Sequence, residues 1–193
     1  MPDRGGTYDG RMARPRVLLL TGTPASGKTV VAHEIGYLLA GSGRSGAVID
    51  LDSLGLAWFG SSDDGTRVMA LRLSNLSSVW PNFRTSGLEH VVLAGAIQNE
   101  TALASICQAI ENAPIRVVRL QVSPREIEKR LRRRDKGAVL EEHLKIAPEI
   151  DRELNRADLQ DLLVSNEARS VSEVAEEILL GLGWLDSPSR PES

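Results

Sequence analysis

One cysteine in 193 residues leaves Cys107 without an internal disulfide partner. With only three histidines beside it, the supply of soft and imidazole ligands is too thin for a structural zinc site. Long apolar runs are missing too. No stretch approaches the roughly 18 residues that a membrane span needs. Met1 to Arg16 hold no apolar segment followed by a cleavage site, so no secretory signal is expected and the cytoplasm is the expected location. An excess of positive charge is absent. The 23 Lys and Arg against 26 Asp and Glu give a net charge of −3, the opposite of the basic balance of a dedicated nucleic-acid binder. Aromatic residues make up 4% of the chain, so each of the 3 tryptophans calls for a role. There is no internal repeat at solenoid periods. What is present, 41% apolar and 25% charged residues, fits a globular chain of one domain.

Residues 1–15 are rich in Gly, Arg and Pro without periodicity and read as a flexible arm; residues 186–193 read as a flexible tail. Between them, 16–185 is expected to form a single domain in which strand and helix patterns alternate. Arg16–Thr21 is a short continuous apolar run, the signature of a parallel strand buried on both faces. A helix is expected from Thr29 to Ala40, stopped by Gly41 and Gly43. A second strand is expected over Ala47–Asp52, and a helix over Thr66–Phe83 that breaks near Pro81. His90–Gly95, Ile115–Val122 and Asp161–Val164 read as further strands, with a helix over Glu100–Glu111. Ser123, Pro124 and Glu126 form a strong helix start, with Ser at the N-cap and Pro at the first position. That helix is expected to reach about Asp135 and to be broken by Gly137. A mostly helical stretch with an irregularity at Pro148 follows to Ala157, and a last helix is capped by Ser170. Five strands alternating with helices predict an α/β fold, a parallel sheet between two helical layers.

Gly22, Thr23, Pro24, Ala25, Ser26, Gly27, Lys28 and Thr29 match the pattern G-x-x-x-x-G-K-[ST] in full, between an apolar strand and an amphipathic helix. Glycines let the backbone turn so that successive N–H groups converge on phosphate oxygens, and the helix start points its positive end at the same place. Lys28 is placed to reach the β- and γ-phosphates, and the Thr29 hydroxyl to ligate Mg²⁺. Asp50 and Asp52 then form an Asp-x-Asp at the end of the second strand. Alternation puts both on one side of that strand, near the carboxyl edge of the sheet where ligands bind. One carboxylate is expected to help order Mg²⁺ and its waters, the role assigned here to Asp50. The other is expected to contact the acceptor hydroxyl and take its proton; either aspartate fits that role, with Asp52 favoured for the acceptor contact.

The Walker loop, the Asp-x-Asp and the Arg-rich helix after the fourth strand together resemble the small P-loop kinases, a group that includes shikimate, gluconate and adenylylsulfate kinases and chloramphenicol phosphotransferase. The resemblance covers Arg16 to about Leu182. It implies sheet order 2-3-1-4-5, a helical lid over about 125–157, and ATP with Mg²⁺ as cofactors. It implies that Gly95, ending the third strand, lies beside the acceptor, and that Arg130 and Arg134 on the lid contact the phosphates. Arg130, Arg133 and Arg134 share one helix face at spacings i, i+3 and i+4. By fold analogy, the loop Ser165–Ala168 contacts the adenine ring. The chain departs from the named members: Ala94, Gly95 and Ala96 replace a triple glycine, and no Asp-Gly-Asp follows the second strand, so none of their substrates carries over.

The acceptor pocket is expected between the second strand and the helices after it. Its candidate residues are Trp58, Phe59, Arg67, Arg72, Asn75, Trp80, Asn82 and Arg84; Trp58 and Arg84 are favoured, an indole for a ring face and an arginine for an anion. Trp80 lies on the apolar stripe and reads as core, as does Cys107; His33 and His143 read as solvated. The sequence thus points to an ATP-dependent kinase acting on a hydroxyl of a small molecule, with no nucleic-acid or membrane partner, and with a homodimer as a candidate assembly. A nucleotide-binding switch or ATPase acting on a protein, and a nucleoside-phosphate kinase, share the same phosphate loop. The chain has no Asn-Lys-x-Asp motif for guanine, which favours ATP.

Overall fold

A computed structural model describes residues 14–60 and 64–186. The arm and tail expected at the two ends fall outside these residues apart from Arg14, Pro15 and Asp186. Five parallel strands form one sheet in the order β2-β3-β1-β4-β5, as the resemblance implies. They are β1 (Arg16–Thr21), β2 (Gly46–Asp50), β3 (His90–Ala94), β4 (Ile115–Gln121) and β5 (Leu162–Ser165). The helices are α1 (Lys28–Gly41), α2 (Asp64–Thr85), α3 (Glu100–Ala109), α4 (Pro124–Arg134), α5 (Gly137–Ala157) and α6 (Val171–Gly181).

The central strand β1 is buried from Val17 to Thr21, so its side chains alternate between two cores. Leu18 and Leu20 face Val31, Ile35 and Leu39 of α1 and Val174 and Ile178 of α6. Val17 and Leu19 belong to the opposite core, with Leu76 and Trp80 of α2 and Ile106 of α3. Two helical layers therefore sandwich the sheet, and the phosphate loop leaves β1 at its carboxyl edge. A third, smaller core of Ile127, Leu131 and Ala147 joins α4 to α5, with Ala25 of the phosphate loop packed against it. The Arg119 guanidinium on β4 is 4% exposed and reaches Asp151 of α5 at 2.8 Å, which ties this helical pair to the sheet.

Three local expectations are corrected. β2 ends at Asp50 rather than Asp52. The Asp50 carboxylate accepts the backbone N–H groups of Asp52 (2.9 Å) and Ser53 (3.2 Å), and this short side-chain turn curls the chain off the sheet into a 3₁₀ turn over Ser53–Gly55. α2 runs unbroken through Pro81 to Thr85, because Leu76 and fully buried Trp80 fasten that part of the helix to the sheet. Such burial outweighs the ~3 kcal/mol that an interior proline costs. Gly137 opens α5 instead of ending α4, and the break lies at Asp135 and Lys136.

Candidate active site

The loop from Gly22 to Gly27 is shaped by steric necessity. Gly22 has φ +150°, and a Cβ there would sit 2.6 Å from Ser26 Oγ and 2.8 Å from the Leu120 carbonyl. Gly27 has φ +97°, and a Cβ there would sit 2.4 Å from Asn166 Nδ2. No L side chain fits either position without moving backbone or a buried amide. Buried Asn166, in the loop after β5, donates from Nδ2 to the Ser26 carbonyl at 2.7 Å. Its own carbonyl accepts Arg130 Nη2 of α4 at 2.8 Å. One residue thus fastens the phosphate loop and positions a lid arginine. Next to it, Glu167 caps α4 by accepting the N–H and the hydroxyl of Ser123, both at 2.9 Å.

Lys28 Nζ donates to the carbonyls of Gly22 (3.1 Å) and Thr23 (2.9 Å), so the ammonium lies inside the curl of the loop. Burial pushes its pKa down to about 8, against the attraction of Asp52 and Asp50 and with added repulsion from Arg134. These couplings bring Lys28, both carboxylates and the lid into one electrostatic unit. The Thr29 hydroxyl donates to Asp50 Oδ2 at 2.8 Å. That pair fits a hydrated Mg²⁺: the hydroxyl oxygen is a hard ligand and Asp50 orients it from behind. Mg²⁺ held largely by phosphates and water needs few protein ligands, and no group of three or more acidic, His or Cys ligands occurs among the described residues.

Asp52 does not share a strand face with Asp50, since the strand has already ended. The turn after β2 nevertheless carries it to the mouth of the same cavity, where Arg72 of α2 meets its Oδ1 at 2.9 Å. The cavity measures about 1190 Å³ and is lined by Lys28 and Thr29, by Asp52, Trp58 and Arg72, and by Arg130, Arg133, Arg134 and His143 of the lid helices. Arg134 is held bidentately by Asp135 (2.7 and 2.9 Å), and His143 Nδ1 lies 2.7 Å from the same carboxylate. Arg130, Arg133 and Arg134 line the cavity together with the Gly22–Thr29 loop, and His143 joins them rather than standing apart in solvent.

Other acceptor candidates fall elsewhere. Arg84 is corrected: at the far end of α2 it pairs with Glu111 at 3.0 Å, beside Pro15 and Ile110, at the edge of the sheet opposite the phosphate loop. Its 22-residue helix spans the full height of the sheet, so a residue near its end cannot reach the carboxyl edge. Gly95 is likewise corrected: it packs on Leu51, whose Cβ would lie 2.9 Å from a Cβ at this position, and Ala96 lines the cavity in its place. Arg67 stacks over Phe59 at 4.0 Å, and Asn75 donates to the Leu54 carbonyl at 2.6 Å, so both shape the β2–α2 connection. Trp80 is core, Cys107 is half-buried and His33 is exposed. The sequence reading does not anticipate the Asn166 tie to Ser26 and Arg130 or the Asp135 grip on Arg134 and His143.

No protein-family model matches the chain, and no curated protein sequence matches it. Solved structures do. A gluconokinase from Sinorhizobium meliloti 1021 superposes with a TM-score of 0.58 at 18% identity, over 88% of this chain and 93% of that one. Shikimate kinase from Acinetobacter baumannii, in complex with shikimate, gives 0.55 at 19% identity, over 89% and 95%. An APS kinase from Mycobacterium tuberculosis, in complex with AMPPNP and APS, gives 0.50 at 19%, over 88% and 98%. The chain thus has the fold of the small P-loop kinases, over nearly the whole length of both partners.

Proposed function

We propose that the protein is an ATP-dependent kinase that transfers the γ-phosphoryl group to a hydroxyl of a small molecule. The observation that carries this reading is the convergence of Lys28, the Thr29–Asp50 pair, the Asp52–Arg72 pair and the lid arginines on one cavity. The fold and the AMPPNP found in a neighbour's structure support ATP as the nucleotide.

The amides of Gly22 to Thr29 and the Lys28 ammonium bind the phosphate tail, and Lys28 exchanges the carbonyls of Gly22 and Thr23 for phosphate oxygens. Thr29, with Asp50 behind it, would hold Mg²⁺, which would supply charge neutralisation at the phosphates. Asp52 accepts the proton of the acceptor hydroxyl, and Arg72 fixes the orientation of its carboxylate. Arg130 and Arg134 face the transferring group from the lid, where preformed cations stabilise spread negative charge. The decisive experiment measures ATP turnover across a panel of hydroxylated metabolites. An acceptor is expected to raise turnover at least about a hundredfold, and the D52N and K28A variants to abolish that rise. A K28A chain that binds and turns over ATP like the wild type sinks the reading.

A further inference from the structure

The charges lining the cavity are already satisfied to an unusual degree. Arg72 is held by Asp52, Arg134 by Asp135, and Arg130 by Glu126 and Asn166. Arg133 of α4 is the one arginine of the lining without a hydrogen-bond or ion-pair partner among the described residues. On the acceptor side, between β2 and α2, both arginines among the described residues have partners: Arg72 has the Asp52 carboxylate, with its Nε out of reach of solvent, and the Arg67 guanidinium rests on the Phe59 ring. What that side does leave open is apolar. Trp58 is 82% exposed and Leu56 72% exposed, with Ala57 between them and Val68 of α2 completing the same wall. An indole and a leucine left in water two residues apart, lining the mouth of a cavity, gain free energy when a flat apolar surface covers them.

Building on the kinase reading above, we propose that the acceptor is an uncharged alcohol with a flat apolar ring, its ring on Trp58 and Leu56 and its hydroxyl at Asp52. Among the described residues, acidic acceptors such as gluconate or shikimate meet no cation without a partner on this wall. The transfer balances without a further reagent. The alcohol oxygen bonds the γ-phosphorus as the bond from that phosphorus to the β–γ bridging oxygen breaks. The hydroxyl proton passes to Asp52 and then to water, leaving a phosphate ester and ADP.

The test uses the full chain with MgATP, a panel of uncharged aryl glycosides including phenyl β-D-glucoside, and gluconate and shikimate as the acidic arm. Aryl glycosides are expected to accelerate ADP release and to quench tryptophan emission in the wild type but not in W58F, since Trp80 and Trp184 are buried. W58A is expected to raise the KM for them about tenfold with kcat within about threefold, the pattern of a lost binding contact. Gluconate and shikimate are expected to change neither signal. Turnover of an acidic acceptor that W58A leaves unchanged overturns the proposal, and so does a panel in which no aryl glycoside quenches Trp58. Failure of the underlying kinase reading registers separately, as ATP affinity in calorimetry without acceptor that K28A does not alter.

Discussion

At the scale of single residues, Lys28 carries a measurable signature. Burial holds its pKa down at about 8, from an ordinary value of 10.5, while the protein is free. A bound polyphosphate favours the charged ammonium and raises that pKa, so binding takes up a proton at pH above 8. Affinity for ADP is therefore expected to hold level well below pH 8. It should then fall by up to about tenfold per pH unit as pH rises through 8 toward 10. Calorimetry in two buffers of different ionisation enthalpy reads the proton uptake; affinity that stays flat to pH 9.5 contradicts the account. Gly27 provides a second residue-scale test. Its left-handed φ and the 2.4 Å approach of Asn166 Nδ2 leave no room for a methyl group. G27A is expected to weaken nucleotide binding at least about tenfold, since it must displace the amide that fastens Ser26. Wild-type affinity in G27A would show that the Asn166 contact does not shape the loop.

At the scale of elements, the α4–α5 junction is the most instructive. The hydrophobic stripe of α4 is readable in sequence, and Ser123 caps it as expected, with its hydroxyl accepting the Glu126 N–H. The sequence does not reveal that Asp135, just past its end, grips Arg134 and His143 together. The Arg134 fork first, and the His143 hydrogen bond second, hold the Asp135 carboxyl down at about 2. A carboxyl depressed on folding adds stability above its unfolded value near 3.8 and loses it as pH falls from about 4 to about 2. D135N is expected to cost about 2 kcal/mol at pH 7, with the gap to wild type closing over that acid window. Urea midpoints at pH 7, 4 and 2.5 check it. A gap that does not narrow on acidification would assign Asp135 a role in packing alone.

At the scale of the whole molecule, the helical pair that faces the phosphate loop hangs on few long-range ties. The Arg119–Asp151 contact joins residues 32 apart in sequence and spans sheet to lid. Breaking it from the exposed end leaves a buried guanidinium without its partner, so D151A is expected to cost about 3 kcal/mol. R119M replaces the buried cation with apolar volume and is expected to cost distinctly less. Thermal or urea unfolding of the two variants compares them directly. Equal losses would mean that Asp151 acts through something other than Arg119. Nucleotide affinity should fall less than stability in both, because neither residue is among those that surround Lys28.

How much of this is legible in the chain follows from the range of each interaction. β1, the phosphate loop and α1 lie in one continuous stretch, Arg16–Gly41, so local pattern and steric rules suffice to find Lys28 and Thr29. Asp52 reaches the cavity as well, although from a turn, because the strand ends two residues early; the Asp50 side chain, turning back on the Asp52 and Ser53 amides, decides that. Arg84 misleads because residue type suggests an anion site while helix length carries it to the wrong edge. Asn166, 140 residues from Ser26, and the Arg119–Asp151 tie meet only because β1, β4 and β5 lie side by side. Short-range geometry thus settles the shape of the Gly22–Thr29 loop and the place of Lys28 inside it. Strand order and helix packing, driven by burial of apolar surface from distant parts of the chain, settle which side chains surround it.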